Sequence, residues 1–70
     1  MSNLIANALY KEQKELENKL DKLEMFLHSD TSWALSSEQA NLMQVQAKIM
    51  ESYIHLLAIR RDLEEETEDE

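Results

Sequence analysis

Residues 42–63 read Leu42-Met43-Gln44-Val45-Gln46-Ala47-Lys48-Ile49-Met50-Glu51-Ser52-Tyr53-Ile54-His55-Leu56-Leu57-Ala58-Ile59-Arg60-Arg61-Asp62-Leu63. Leu42, Ile49, Leu56 and Leu63 recur every seven residues, the period of a helix face that meets another helix. Beside them Met43, Ala47, Met50, Ile54 and Leu57 trace a second ladder in steps of four and three. One stripe suffices for a two-helix chain. The surplus stripe predicts that the helix packs on its own chain with one face and on another copy with the other.

The preceding stretch carries a single ladder: Ala6, Leu9, Gln13, Leu16, Leu20, Leu23 and Leu27. Its alternating threes and fours predict a first helix over about residues 3–28, with Gln13 as the one polar interruption. Glu15 and Lys19 form a favourable i,i+4 pair on the outer surface. Between the ladders, residues 28–35 are rich in Ser, Thr and Asp, whose side chains bond the local backbone and compete with helix. Ser36 and Gln39 form a capping-box pattern, so the second helix is expected from about residue 37 to 64, roughly 42 Å long. With no glycine and no proline, tight-turned β structure and Gly-rich phosphate loops are disfavoured. The fold class expected is all-α: an antiparallel two-helix hairpin that assembles into a homo-oligomeric helical bundle. In this reading the first ladder packs on the Leu42 stripe. Met43, Ala47, Met50, Ile54 and Leu57, flanked by Val45 and Ile59, are then the oligomer interface.

Seventy residues make one domain at most, at a size where oligomerisation commonly supplies the missing core. The absence of cysteine removes disulfides, thiolate metal clusters and a thiol nucleophile. No signal-peptide pattern or long apolar run is present, which leads us to expect a cytoplasmic protein, in the host cytoplasm if viral, with no membrane partner. The formal charge of −8 is concentrated at the end: residues 64–70 hold six of the fifteen acids and no base. We expect those residues to be an acidic disordered tail and the hairpin, residues 1–63, to be nearly neutral. No basic stripe collects phosphates, so no nucleic-acid partner is expected.

Chemistry finds little purchase in this sequence. His28 and His55 lack metal-ligand spacing, so no metal is expected, and no cofactor is called for. Carboxylate pairs such as Glu12/Glu15 and Asp21/Glu24 fall on outward faces, whereas acid–base catalysis needs a desolvated cleft. An enzyme is not expected. Trp33 in a polar connection, Tyr53 beside the seam, and Arg60 and Arg61 at its end admit two accounts. They can be structural, with Trp33 as a lid on the hairpin end. Alternatively they can hold a ligand, through aromatic faces that stack on a base and guanidinium groups that grip phosphates.

Lys22-Leu23-Glu24 with Phe26-Leu27, then Leu35-Ser36-Ser37-Glu38-Gln39, then Gln46, Met50, Tyr53, Leu57 and Arg60, form a pattern that resembles a group of small phage proteins over about residues 12–61. In architecture this group is similar to the hairpin domain of phage sponges that sequester the cyclic nucleotide signals of the CBASS and Thoeris defence systems. The resemblance implies a symmetric oligomer that encloses a cyclic nucleotide or ADP-ribose-type messenger between subunits without cleaving it. By residue type, the ligand-binding candidates it implies are Tyr10, Lys22, Thr31, Ser32, Trp33 and Arg60, to which the residue-level reading adds Tyr53 and Arg61. The alternative from another class is a protein-interaction module that binds and inhibits or recruits a host protein through its second apolar seam.

Overall fold

The computed structural model describes residues 3–29 and 33–68, which form two helices, α1 (Leu4–Leu27) and α2 (Ser37–Glu68), packed against each other as a hairpin. The hairpin is 53 Å long and only 15 by 12 Å across. Three of the four helix ends are closed by a local side chain. Asn3 caps α1, its Oδ1 accepting from the Ala6 N–H at 3.0 Å, and its Nδ2 donates to the Glu64 carbonyl at 3.0 Å. One side chain thereby caps one helix and ties it to the far end of the other. At the opposite end of α1, His28 Nδ1 lies 2.8 Å from the Glu24 carbonyl, and the Ser29 hydroxyl donates to the Phe26 carbonyl at 2.7 Å. The same carbonyls accept the His28 and Ser29 backbone N–H groups, so the last turn is closed by main-chain and side-chain bonds together, without a glycine. Ser36 caps α2 by accepting from the Gln39 N–H at 3.1 Å.

Burial follows the α1 ladder. Ala6, Leu9, Gln13 and Leu20 are buried, and Leu16, Leu23 and Leu27 are half-buried. On α2 the outcome reverses the expected use of the two stripes. Leu57 is fully buried, and Met43, Ala47, Met50 and Ile54 are half-buried against α1. The residues assigned from sequence as the oligomer interface therefore form the inner face of the hairpin. The outward residues are Leu42, Val45, Ile49, Leu56, Ile59 and Leu63, each at least half exposed. Side-chain shape gives the reason. Ala47 and Ala58 admit close approach of the α1 backbone, and unbranched methionines adapt to the irregular gaps between leucines. The stripe of Leu, Ile and Val is left facing away.

A second correction concerns the acidic end. α2 continues through Glu68, so residues 64–68 are helical, beyond the expected stop at residue 64. Glutamate is a good helix former, and Arg61 pairs with Glu65 one turn on, with Nε 4.0 Å from Oε1. The Asn3 bond to the Glu64 carbonyl holds the same turn. Residues 69 and 70 lie outside the described residues.

The Asn3 contacts carry a direct prediction. Asn3→Ala removes both the cap and the interhelical tie, and should lower unfolding stability by about 1–2 kcal/mol, the upper part of the range for N-caps. Asn3→Ser, which restores a cap but cannot reach Glu64, should recover part of the loss in urea unfolding. Full recovery would show that the tie contributes nothing.

Candidate functional site at the open end of the hairpin

The end of the hairpin away from the connection carries two polar flanks, one on either side of the interhelical seam. On the first, Tyr10 of α1 is contacted by two cations: Lys14 Nζ lies 5.4 Å and Arg61 Cζ 5.1 Å from its ring centroid. Cations over an aromatic face are drawn to the negative π cloud. Helical spacing brings Tyr10, Lys14 and Glu17 onto one surface, with Gln13 turned inward beside them. Lys14 pairs with Glu17 at 3.3 Å, and Gln13 Nε2 donates to Glu17 Oε1 at 3.0 Å. The Gln13 amide first and Lys14 second hold the Glu17 carboxyl below the usual carboxylate range. Among the described residues two polar atoms on this flank are buried without a hydrogen bond, Gln13 Oε1 and Arg61 Nε. A guanidinium N–H turned inward with a carboxylate no closer than 4.0 Å retains capacity for an acceptor.

On the second flank the Tyr53 hydroxyl donates to Glu12 Oε2, joining the middle of α2 to α1. Glu12 raises the Tyr53 pKa, because the carboxylate accepts from the neutral phenol and opposes the phenolate, while Arg60 nearby pulls in the other direction. The sign of the linkage follows from a proton held more tightly in the folded chain. The bond contributes fully below the ordinary tyrosine range and is lost as pH rises through the raised value. Spectrophotometric titration should show one tyrosine ionising late, and Glu12→Gln should shift that step to lower pH. An unchanged titration in the variant would remove Glu12 as the cause.

The sequence-predicted candidates thus do not form one cluster. Tyr10 and Arg61 meet on one flank, and Tyr53 and Arg60 share the other. Lys22 is about 18 Å along α1 from Tyr10, and Trp33 precedes the start of α2, itself about 24 Å along the helix from Tyr53 at 1.5 Å per residue. Trp33 is 83 % exposed and does not lid the hairpin end. Thr31 and Ser32 lie outside the described residues. Four participants were missed from sequence: Glu12, Gln13, Lys14 and Glu17. The polar interruption of the ladder at Gln13 was the available signal, since a glutamine kept at a core position beside Tyr10 marks a polar site.

Along the middle of the molecule run shallow grooves, one lined by Glu17, Leu20, Glu51, Ser52, Ile54 and His55, the next by Glu24, Leu27, His28, Ala47 and Lys48 among others. Their carboxylates make them poor seats for an anion. Among the described residues no cluster of His, Cys, Asp and Glu could hold a metal ion, and no helix is long and apolar enough to cross a membrane.

Fold and surface together define a small helical-hairpin protein with a cation-bearing aromatic end and an outward apolar stripe. The Sequestin family model matches residues 6–63, both helices and the connection between them, and the chain belongs to the Sequestin family. The family's name denotes sequestration. No curated protein and no solved structure matches the chain.

Proposed function

We propose that this protein is a phage anti-defence sponge. In this reading it holds a cyclic nucleotide or ADP-ribose-type immune signal at the subunit interfaces of a homo-oligomer, and lowers its free concentration without converting it. The observation that carries the reading is the Tyr10, Lys14 and Arg61 arrangement. It offers an aromatic ring, two cations and a buried guanidinium N–H without a hydrogen bond on one flank, and on the other Tyr53 bonds Glu12 with the Arg60 charge nearby. Aromatic rings suit a base, and guanidinium groups suit phosphate oxygens. The family name supports the sequestering part of the reading. A single narrow hairpin cannot enclose a nucleotide, so the enclosure falls between copies.

The test is thermal unfolding with a panel of cyclic di- and trinucleotides and cyclic ADP-ribose isomers. A true ligand at 100 times its Kd should stabilise the fold by about 2.7 kcal/mol. Arg61→Ala should abolish the shift and Arg61→Lys should weaken it. No shift with any member of the panel would overturn the reading. Recovery of the ligand intact after release would establish holding rather than cleavage.

One observation favours a second reading, in which the protein binds and inhibits or recruits a host protein through its outward apolar stripe. Leu42, Val45, Ile49, Leu56 and Ile59 form a surface of the kind that helix-in-groove partners use. This reading predicts a chain that is weakly associated alone and captures one partner stoichiometrically. A tight homo-oligomer with the stripe buried would count against it.

A further inference from the structure

The outward face of α2 is more ordered than a scatter of exposed hydrophobics. Leu42, Val45, Ile49, Ser52, Leu56, Ile59 and Leu63 follow one another at intervals of three and four without a slip, over three heptads and about 33 Å of helix. The apolar members are 50–63 % exposed. The ladder lies on the side of α2 away from Met43, Met50 and Leu57, which face α1. A coiled-coil seam of this length, on a chain with so thin a core of its own, calls for another helix.

We propose that the occupant is a second copy of this chain, docked with the two α2 helices antiparallel. Charge on the ladder's borders selects the orientation. One border carries Lys48, His55 and Asp62, the other Gln46, Tyr53 and Arg60. In the antiparallel register that places Ile49 level with the partner's Ile59, and Ser52 level with the partner's Leu56, Lys48 stands beside the partner's Asp62. The two-fold axis makes that ion pair twice. A parallel pairing sets Lys48 beside the partner's Tyr53 and His55 beside the partner's Arg60, with no opposite charges meeting across the seam. Ser52, small and polar, fits the middle of the ladder opposite Leu56, where a buried polar residue resists slippage into other registers.

The same register brings Tyr53 next to the partner's Tyr53 close to the two-fold axis, with an Arg60 on either side. The flank formed by Glu12, Tyr53 and Arg60 is doubled into one surface with two aromatic rings and two guanidinium groups. This deepens the proposed function by placing the Tyr53 and Arg60 flank at a shared interface, while the Tyr10 and Arg61 flank stays within each hairpin, and only its ligand aspect rests on that reading.

The chain has no cysteine of its own, so single introduced cysteines report on geometry. Light scattering on the wild-type protein should give twice the chain mass. Ile49→Glu and Leu56→Glu, both at exposed positions, should halve the mass with helicity unchanged by circular dichroism. His55→Cys, about 3 Å along the axis from its symmetry mate, should be joined to it by a short bismaleimide. Asn41→Cys, about 40 Å from its mate in this register, should not. A monomeric wild type, an assembly larger than a dimer, a dimer that survives Leu56→Glu, or efficient coupling through Asn41→Cys would each overturn the proposal. Titration of the signal panel into wild type and Leu56→Glu separates the two readings. A dimer that binds no ligand leaves the interface standing and removes the sponge.

Discussion

Leu57→Ala should cost about 2–5 kcal/mol of unfolding stability, a large part of the roughly 4–10 kcal/mol that a chain of this length possesses. Among the described residues Leu57 is the one large side chain fully withdrawn from solvent, so its truncation leaves a cavity that two rigid helices can only partly close. Leu56, its neighbour in sequence, is 50 % exposed. Leu56→Ala should therefore change stability by no more than about 0.5 kcal/mol when measured at a concentration low enough to keep the chain monomeric. Urea unfolding of the two variants, followed by far-UV circular dichroism, checks the assignment of the seams directly. A larger cost at Leu56 than at Leu57 would mean that the two stripes of α2 are used the other way round.

Gln13→Leu should act in the opposite direction and raise stability by about 1–2 kcal/mol, because it removes a buried acceptor without a hydrogen bond at the cost of one bond to Glu17. For a chain of this size that corresponds to a rise in Tm of about 5–15 °C. Gln13→Ala should gain nothing, since it leaves a void between Leu9 and Leu16. The leucine variant also changes the acid limb of the stability profile. The Gln13 amide is the leading cause of the lowered Glu17 pKa, so Glu17 contributes stability above the usual carboxylate range that is lost as pH falls through its lowered folded value. Without the amide that loss should shrink. If Gln13→Leu destabilises the chain, the Gln13 amide oxygen is satisfied in solution and its bond to Glu17 outweighs the gain from the apolar side chain.

Much of this protein is legible in its sequence. The α1 ladder, the Ser36 cap, the break between helices and the presence of two stripes on α2 all follow from local spacing and residue type, which act over a few residues and need no knowledge of the partner helix. The helical extension to Glu68 was obscured because a run of like charge reads as a solvated tail, whereas the Arg61–Glu65 pair and the Asn3 tie supply local support for the helix. The candidate site was legible only in part. Tyr10, Tyr53, Arg60 and Arg61 were recognisable by type, but residue type does not place Trp33 at the far end or Lys14 over the Tyr10 ring.

The sequence by itself determined that there are two helices, where they begin, and that the second has one apolar face too many. Only the tertiary structure decided which face α1 takes. Both stripes of α2 have the same period and similar hydrophobicity, so burial of apolar area scarcely distinguishes them. The choice falls to shape: the alanines and methionines of the inner stripe fit the contour of α1, and the Asn3 and Tyr53 hydrogen bonds can form only in that orientation. Packing complementarity between elements distant in the chain has no signature in the periodicity of either one, and it turns the branched ladder of α2 outward to face whatever the protein assembles with.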